Sequence, residues 1–514
     1  MSEILFQYQK VEPTTWAYLS SLLIVGLYFK FNRFWSVRNL DLVLLILLAP
    51  GLLMVHYGRR LTTPEPDKVA SAAAVDIADT TRPAPVIDVE ASEVSALPTA
   101  EKSPEEKAAA VVQAKADAAA VAPQAKAGSI VYLGYLWLFG VSAVLLVRLL
   151  LDPTMVRRPL LEPNLTNGGL LFIGCSLFLF LMANVLTSTL SPDDLKGPQG
   201  AEAILTRHDT STGDRHVEDY RRLGPGYYLI NLLPSIPTLP FVAQNPEQQK
   251  VAYAPAARAM AILSHLAIVV AIVIVGYWHF ENIKMGIGAA TLYLMLPYTA
   301  QMTGRVDHVL PAALLMWAIV FYRRPGVAGT LIGLAMGVVY YPLFLLPLWI
   351  SFYWQRGVVR FLIGLTLALA VTALSLAFVS EDLASFWMKI RQMFGLFLPN
   401  MDAEQLRGIW ERRFGWDPVY RLPVLALCIA LAGSLAIWPA QKNLGTLLSC
   451  SAAIMVAVQF WHGYGGGLYL SWYLPLLLLT IFRPNLEDRI ALTVLGEGWF
   501  VRRRSRLAQF TRAA

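Results

Sequence analysis

Residues 304–360 decide the fold class, and they read GRVDHVLPAALLMWAIVFYRRPGVAGTLIGLAMGVVYYPLFLLPLWISFYWQRGVVR. Apolar runs alternate with short charged turns, which is the pattern of helices that cross a membrane repeatedly. Three ionisable residues, Arg305, Asp307 and His308, lie at one end of an apolar run, and basic turns lie at the opposite ends. Ionisable side chains in such positions are candidates for a functional site.

The composition of the whole chain agrees with a membrane protein. Hydrophobic residues make up 56% of its 514 residues and charged residues 15%, whereas soluble domains carry roughly 25% charged residues. The net charge of +7 comes from short loops and from the C-terminal RRRSR at 502–506, which indicates a membrane surface and not a nucleic acid partner. The three cysteines all fall in apolar runs, so we interpret them as packing residues.

The apolar runs predict an all-α polytopic helix bundle with about thirteen membrane spans, whose outer loops form a small extracytoplasmic cap. The predicted spans are 14–31, 39–57, 129–151, 168–190, 254–280, 284–303, 307–322, 326–340, 342–354, 358–379, 419–437, 443–461 and 467–483. Since Pro342 lacks a backbone donor, the eighth and ninth spans can also form one broken helix.

The positions of Lys and Arg predict the orientation of these spans. With thirteen spans counted, the basic residues of the short loops fall on one face, which we assign to the cytoplasm; Arg59 and Arg60 are the exception. The long loops 191–253 and 381–418 then lie outside. The predicted organisation is two N-terminal transmembrane helices (1–60), a linker (61–128), a transmembrane core (129–490) and a basic cytoplasmic tail (491–514).

The predicted linker differs in composition from everything around it. It is rich in Ala, Pro, Glu, Asp, Lys and Val, and no aromatic residue occurs between positions 61 and 127. Because such a segment buries too little apolar area to offset the entropy of ordering, we predict that it is disordered, with transient helix in its Ala-rich part at 102–126.

Two adjacent acidic residues, Asp193 and Asp194, follow the fourth predicted span closely. Adjacent carboxylates at a membrane surface can bind a divalent cation, or one of them can act as a general base on a hydroxyl. A second interpretation is structural: Pro192 suits the first turn of a helix, and carboxylates there interact favourably with the helix dipole. The sequence leaves both open.

The loop after this acidic pair continues with basic residues and then with an apolar, Pro-rich segment at 227–241. That segment is too short to span, so we expect it to lie on or dip into the membrane. Arg215, Arg221 and Arg222 precede the segment and Arg258 follows it. Arginine can hold a phosphate by paired hydrogen bonds or merely anchor a loop on anionic lipid.

Four motifs carry a family resemblance. They are GPGYYLINLLPSIPTLPF (224–241), LMLPYTAQMTGRVDHVL (294–310), RRPGVAGTLIGLAMGVVYYPLFLLP (323–347) and LYLSWYLPLLLL (468–479). From the fourth predicted span to the last, the chain resembles the GT-C superfamily of integral-membrane glycosyltransferases. It is most similar to the bacterial branch that uses polyprenyl-phosphate-linked sugars and includes the alpha-mannosyltransferases. Tyr340 stands where members of this branch usually have Lys.

The resemblance implies transfer of a sugar, with mannose as a candidate, from a polyprenyl-phosphate carrier to a glycan, lipid or protein acceptor on the extracytoplasmic face. It implies a catalytic role for Asp193 or Asp194. The many helices and the lack of an obvious signal peptide predict a multi-pass protein of the bacterial inner membrane, in contact with membrane lipids. It leaves a divalent cation as a candidate cofactor. The expected substrate-binding residues are Arg258, Arg305, Asp307, His308, Tyr341 and His462.

Three other classes remain open at this point. A secondary transporter would show repeated halves and broken helices at the membrane midplane, and the sequence has no internal repeat. A membrane scaffold would need no acidic residues facing a cavity. A lipid-linked polymer ligase shares the expected architecture, but it would depend on Arg and His in the outer loops. For Arg305 itself, a structural ion pair with Asp307 is as consistent with the spacing as phosphate binding.

Overall fold

The computed structural model describes residues 11–62, 104–155, 160–206, 222–236, 246–380, 382–395, 401, 404–440 and 442–485. The predicted basic tail and the larger part of the predicted linker lie outside these residues. Seventeen α-helices occur within them: α1 Pro13–Tyr28, α2 Val37–Thr62, α3 Pro104–Leu151, α4 Asn167–Thr187, α5 Pro192–Thr206, α6 Pro225–Ser235, α7 Pro246–Trp278, α8 Ile283–Met295, α9 Pro297–Gln301, α10 Val306–Val320, α11 Pro325–Val338, α12 Leu346–Tyr353, α13 Val358–Ser375, α14 Leu383–Met393, α15 Arg421–Ile437, α16 Leu444–Trp461 and α17 Leu474–Phe482.

Each of the thirteen predicted spans contains at least one of these helices, and the described residues form no β-strand. Within the described part of the chain, seven helices are long and apolar enough to cross a membrane, namely α2, α3, α4, α7, α13, α15 and α16. Helices α8, α10, α11 and the segment Tyr341–Tyr353 are apolar but shorter. The prediction of an all-α polytopic membrane bundle is confirmed.

The chain breaks between the eighth and ninth predicted spans. Helix α11 ends at Val338, Val339 is extended with φ −147° and ψ 131°, and a 3₁₀ turn at Tyr341–Leu345 leads into α12. The break occurs where the sequence predicts it, because Pro342 donates no hydrogen bond to a continuing helix. The interruption leaves the Val338 carbonyl free to accept from Gly224 N at 2.8 Å.

Helices α11 and α13 pack with their backbones in close approach. Gly329, Gly333 and Gly337 lie one helical turn apart on α11 and face α13. A Cβ atom at Gly333 would lie 2.8 Å from the Ala368 side chain, so this position requires glycine. Small residues at such spacing allow membrane helices to associate through van der Waals contact.

Residues 50–137 form a compact unit of their own, separate from the unit made of 1–49 and 138–514. Within it, Gly58 lies against Val131 and Gly134 against Val55, so small residues allow close packing of the two helix segments here. Helix α3 begins at Pro104, inside the predicted linker and in the part where the sequence favours transient helix. The disorder prediction for 63–103 lies outside the described residues.

In the larger unit, the first N-terminal helix packs on the predicted core. Trp16 Nε1 donates to the Met295 carbonyl at 3.1 Å, and Tyr28 Oη donates to the Gly288 carbonyl at 2.9 Å. Both carbonyls belong to α8, so α1 is fixed along that helix at two points.

A buried group of charges ties the ends of α2, α3 and α17 together. Arg148 donates through Nε and Nη2 to the two oxygens of Asp41, at 2.7 and 2.9 Å. Its Nη1 donates to Asp152 at 2.9 Å, and Arg483 donates to the other oxygen of Asp152 at 2.6 Å. We call Asp41, Arg148, Asp152 and Arg483 the Arg148 cluster. The cluster joins three helix ends that the basic residues predict to lie on one side.

Candidate active site

The predicted acidic pair opens helix α5. The helix begins at Pro192, as the sequence predicts, and Asp193 and Asp194 occupy its first turn. One oxygen of Asp194 accepts from the backbone N and the hydroxyl of Ser191, at 2.9 and 2.8 Å. A first-turn side chain that bonds back to the residue before the helix is one half of a capping box. The structural interpretation is therefore correct in part: one oxygen of Asp194 caps the start of α5.

A second carboxylate comes from the start of α10. Arg305 precedes that helix and donates through Nε and Nη2 to the two oxygens of Asp307, at 3.0 and 2.7 Å. Such fork-to-fork pairs fix both partners in one plane. The Arg305–Asp307 pair therefore has the structural geometry that the sequence left as one alternative.

The same Arg305 also faces the acidic pair of α5. Its Nη1 lies 3.7 Å from Asp193 Oδ2, and its Nε lies 3.7 Å from Asp194 Oδ1. Arg222 lies between the two regions, with Nη1 3.4 Å from Asp193 Oδ2 and Nη2 3.1 Å from Asp307 Oδ2. We call Asp193, Asp194, Arg222, Arg305 and Asp307 the aspartate cluster. Three carboxylates from two distant segments thus surround two guanidinium groups.

The two adjacent aspartates have different environments. Burial raises the pKa of Asp193, but the charges of Arg222, Lys196 and Arg305 outweigh burial, so its pKa lies below the ordinary value. Burial also raises the pKa of Asp194, and here the Ser191 hydrogen bonds and Arg305 offset it only in part, so its pKa lies above the ordinary value. Asp194 Oδ1 is buried and accepts no hydrogen bond from the described residues. Of the pair, Asp194 is the carboxylate suited to take up a proton.

Aromatic rings and two histidines form a wall behind the aspartate cluster. The centre of the His308 ring lies 4.1 Å from the centre of the Tyr469 ring. The centre of the His462 ring lies 4.5 Å from that of Tyr469 and 4.7 Å from that of Tyr341. Tyr469 Oη lies 3.4 Å from Arg222 Nη2, which joins the wall to the cluster. The structure thus brings His308, Tyr341 and His462 to one place, although their own side chains are buried.

A chain of hydrogen bonds from Ser471 through Tyr298 positions His308. Ser471 Oγ donates to Tyr298 Oη at 3.0 Å, and Tyr298 Oη lies 2.8 Å from His308 Nδ1. Because Tyr298 accepts from Ser471, it can donate to Nδ1, which leaves the proton of a neutral His308 on Nε2. Nε2 lies 3.9 Å from Asp307 Oδ2.

The second long loop reaches the same end of the bundle. Arg407 N donates to the Gly463 carbonyl at 2.8 Å, and Gly465 N donates to the Arg407 carbonyl at 3.2 Å. Gly408 has φ +83° and packs against Gly465, an approach that a side chain at Gly408 would prevent. These bonds fix the loop beside His462.

The sequence-based site prediction and the structure differ at several residues. Arg258 donates to the Ser188 carbonyl at 3.2 Å and makes no ion pair with the three carboxylates among the described residues. Arg222, which the sequence shows only as one of several basic residues in its loop, contacts two of the carboxylates. Tyr298 and Tyr469 were missed as well, although both lie in the quoted motifs at 294–310 and 468–479.

The site gives little support to a divalent cation. In the part of the chain that the structure describes, no group of three or more His, Cys, Asp or Glu side chains could hold a metal ion. The oxygens of Asp307 and one oxygen of Asp193 already face guanidinium groups. The divalent cation stays a sequence-based prediction.

Comparison with known proteins adds the family. Residues 237–460 match the model of glycosyltransferase family 87, a GT-C-type membrane family. The chain is a membrane glycosyltransferase, and its matched segment is similar to enzymes of GT-C type. The match covers less than half of the 514 residues of this glycosyltransferase. It favours an enzyme over the scaffold and transporter alternatives. The curated proteins and the solved structures give no match.

The matched segment divides the candidate site of the glycosyltransferase. It contains five of the predicted substrate-binding residues: Arg258, Arg305, Asp307, His308 and Tyr341. It begins after Asp193, Asp194 and Arg222, and it ends two residues before His462. The aspartate cluster therefore combines residues from inside and outside the family match.

Proposed function

We propose that the glycosyltransferase moves a sugar from a polyprenyl-phosphate carrier to a hydroxyl acceptor, at the extracytoplasmic surface of a bacterial inner membrane. The observation that carries the proposal is the aspartate cluster, in which a proton acceptor lies next to two arginines. Asp194 Oδ1 accepts no hydrogen bond from the described residues, and Arg305 Nε lies 3.7 Å from it. This combination suits a reaction that removes a proton and releases an anion.

Two arginines support the phosphate part of the proposal. Arg222 contacts Asp193 at 3.4 Å, and Arg305 contacts Asp193 at 3.7 Å. These contacts are longer than charge-assisted hydrogen bonds of about 2.7–2.9 Å, so phosphate oxygens can compete for the same N–H groups. Asp307 keeps the fork of Arg305 in one orientation through two short hydrogen bonds. A leaving phosphate would thus meet a pre-oriented cation.

The proposed reaction is a single displacement. Asp194 Oδ1 takes the proton of the acceptor hydroxyl, and the acceptor oxygen forms a bond to the anomeric carbon of the sugar. The bond from that carbon to the phosphate oxygen breaks, and its electron pair leaves with the polyprenyl phosphate, whose charge Arg222 and Arg305 stabilise. Such a step inverts the configuration of the anomeric carbon. Mannose is the candidate sugar, and the acceptor is a glycan, a lipid or a protein.

The experiment compares the purified wild type with the Asp194→Asn variant in proteoliposomes. Asparagine keeps the size of the side chain but cannot take up the proton, so we expect the rate of sugar transfer from a radiolabelled polyprenyl-phosphate mannose to fall by about 10²–10⁴-fold. Glu404→Gln makes the same acid-to-amide change at an exposed position and serves as the control. We expect it to transfer at the wild-type rate.

Two results would contradict the proposal in different ways. Equal rates for wild type and Asp194→Asn would exclude Asp194 as the base. If the wild type transfers sugar only from a nucleotide sugar, the lipid-phosphate donor is excluded. The role of Asp194 would then be tested with the nucleotide sugar as donor. A polyprenyl-phosphate glucose and a polyprenyl-phosphate arabinose, assayed in parallel, test the choice of sugar.

A further inference from the structure

Helix α14 exposes large apolar residues on its outer face and buries Lys389, Gln392 and Met393 on its inner face. Leu383, Trp387 and Met388 are 71%, 56% and 43% exposed. Lys389 and Gln392, on the other face, are only 5% and 2% exposed. A helix on a water-facing surface has the opposite arrangement. The outer face of α14 therefore suits an apolar environment.

Specific contacts hold α14 in this orientation. Lys389 Nζ donates to the Val379 carbonyl at 2.9 Å, which ties the inner face to the turn after α13. The Asp382 side chain caps the start of the helix by accepting from Ser385 N at 2.7 Å. The Lys389 bond on the inner face thus keeps the apolar face turned outward.

Helix α14 follows a span that carries an exposed apolar stripe. The stripe consists of exposed residues spaced three or four apart: Val359, Ile363, Leu367, Val371, Leu374 and Phe378. Residues Val358–Phe378 form one of the candidate membrane spans, so side chains that point away from the protein there meet lipid chains. Leu383 and Trp387 lie in the helix that directly follows this span, after the turn at Leu376–Phe378. Exposed apolar residues therefore occur on both sides of the turn.

The length and the end of α14 indicate how deep it lies. Eleven residues extend about 16 Å, so the helix cannot cross a hydrocarbon core of about 30 Å. Trp387 lies at its centre, and tryptophan favours the membrane interface. Arg391 is also exposed near its C-terminal end, where a long side chain can extend to lipid phosphates.

We propose that α14 lies in the boundary between the headgroups and the acyl chains of the bilayer, with Leu383, Trp387 and Met388 in the lipid. The occupant of its exposed face is the membrane itself. The helix also borders the aromatic wall, because Gly395, two residues after its end, has φ +61° and packs against the ring of Tyr340. The centre of the Tyr340 ring lies 4.1 Å from that of Tyr341, so the segment after α14 packs against the aromatic residues of the candidate site.

Spin labels in lipid nanodiscs test this placement. The full chain is prepared without its three cysteines, and a nitroxide is attached at Met388→Cys in nanodiscs that hold one copy each. Glu404→Cys, at an exposed residue of the following loop, is the matched control. We expect the label at 388 to collide with oxygen several-fold more often than with a water-soluble nickel complex, and the label at 404 to show the reverse.

The outcomes separate lipid from water and from a second copy. Equal access of the nickel complex to labels at 388 and 404 would place the face in water and overturn the proposal. If the label at 388 is protected from the nickel complex only when a disc holds two copies, the face is a subunit interface. That result would also overturn the proposal. Gel filtration and the unfolding temperature check the fold, and Ala384→Cys, on the same exposed face, replaces Met388→Cys if that variant is unstable. The readout needs no sugar donor, so it is independent of the proposed function.

Discussion

The protein contains two clusters of aspartate and arginine that are similar in composition and different in geometry. In the Arg148 cluster, Asp41 and Asp152 are 1% and 0% exposed, and the hydrogen bonds measure 2.6–2.9 Å. In the aspartate cluster, Asp193 is 27% exposed, and several contacts measure 3.4–3.7 Å. All four oxygens of the two carboxylates in the Arg148 cluster accept from arginine, whereas Asp194 Oδ1 accepts from no described residue.

This difference separates a cluster that stabilises the fold from one that can do chemistry. When two carboxylates are buried and all four of their oxygens are paired, the removal of one partner is costly for the folded state. Partial exposure, longer contacts and an unused oxygen leave room for a substrate to exchange partners with the protein. Burial of charge alone does not identify an active site. The distinction between a structural and a reactive cluster depends on whether each carboxylate oxygen already accepts a hydrogen bond.

The largest expected effect is on stability and concerns the Arg148 cluster. Arg148→Met leaves two buried carboxylates without their shared cation, so we expect the free energy of unfolding to fall by roughly 3–5 kcal/mol. Titration with SDS in mixed micelles, followed by tryptophan fluorescence, measures it. Arg356→Met makes the same change at an exposed arginine and should shift the free energy of unfolding little. Equal losses in both variants would contradict the structural role of the cluster.

The next effect concerns the donor phosphate. Arg222→Met removes hydrogen bonds to a charged group worth about 1.5–3 kcal/mol, so we expect kcat/KM for the polyprenyl-phosphate donor to fall by about 10–100-fold. Arg222→Lys keeps the charge without the planar fork and should retain an intermediate activity. Arg412→Met, at a residue 72% exposed, is the control. A normal kcat/KM in Arg222→Met would exclude phosphate contact at this residue.

A smaller loss is expected from Asp193→Asn. Asp193 contacts both Arg222 and Arg305 and has a lowered pKa, so its role is to orient cations and not to take up a proton. We expect kcat to fall by about 10-fold, well below the loss for Asp194→Asn. Initial rates for the two variants, measured side by side, decide the order. The reverse order would make Asp193 the base.

The smallest effect is a shift in the pH profile. A base acts when it is deprotonated, so activity is present above the pKa of Asp194 and is lost as the pH falls through it. Because burial raises this pKa, the loss should begin at a higher pH than for an ordinary Asp carboxyl of about 3.9. Rates between about pH 4 and 8, corrected for unfolding, measure it. A rate that stays constant down to about pH 4 would argue against Asp194.

Part of this site could be predicted from the sequence. Asp193 and Asp194 were predicted as adjacent carboxylates at a membrane surface and from the family resemblance. Arg305 and Asp307 were predicted as part of an ionisable group at the end of an apolar run. The start of α5 at Pro192 followed from local rules for helix ends. Arg222 could not be singled out, since one basic residue in a long loop resembles its neighbours until its contacts are known.

The sequence by itself determined the class of fold, the approximate places of the helices and the break at Pro342. These follow from the length of apolar runs and from the backbone chemistry of proline, which act over a few residues. Only the tertiary structure decided that 193–194, 222 and 305–307 meet, that Arg258 bonds to Ser188, and that Asp41 and Asp152 share Arg148. The pairs Arg222–Asp307 and Asp41–Arg148 join residues 85 and 107 positions apart, because they depend on how helices pack and not on local propensity.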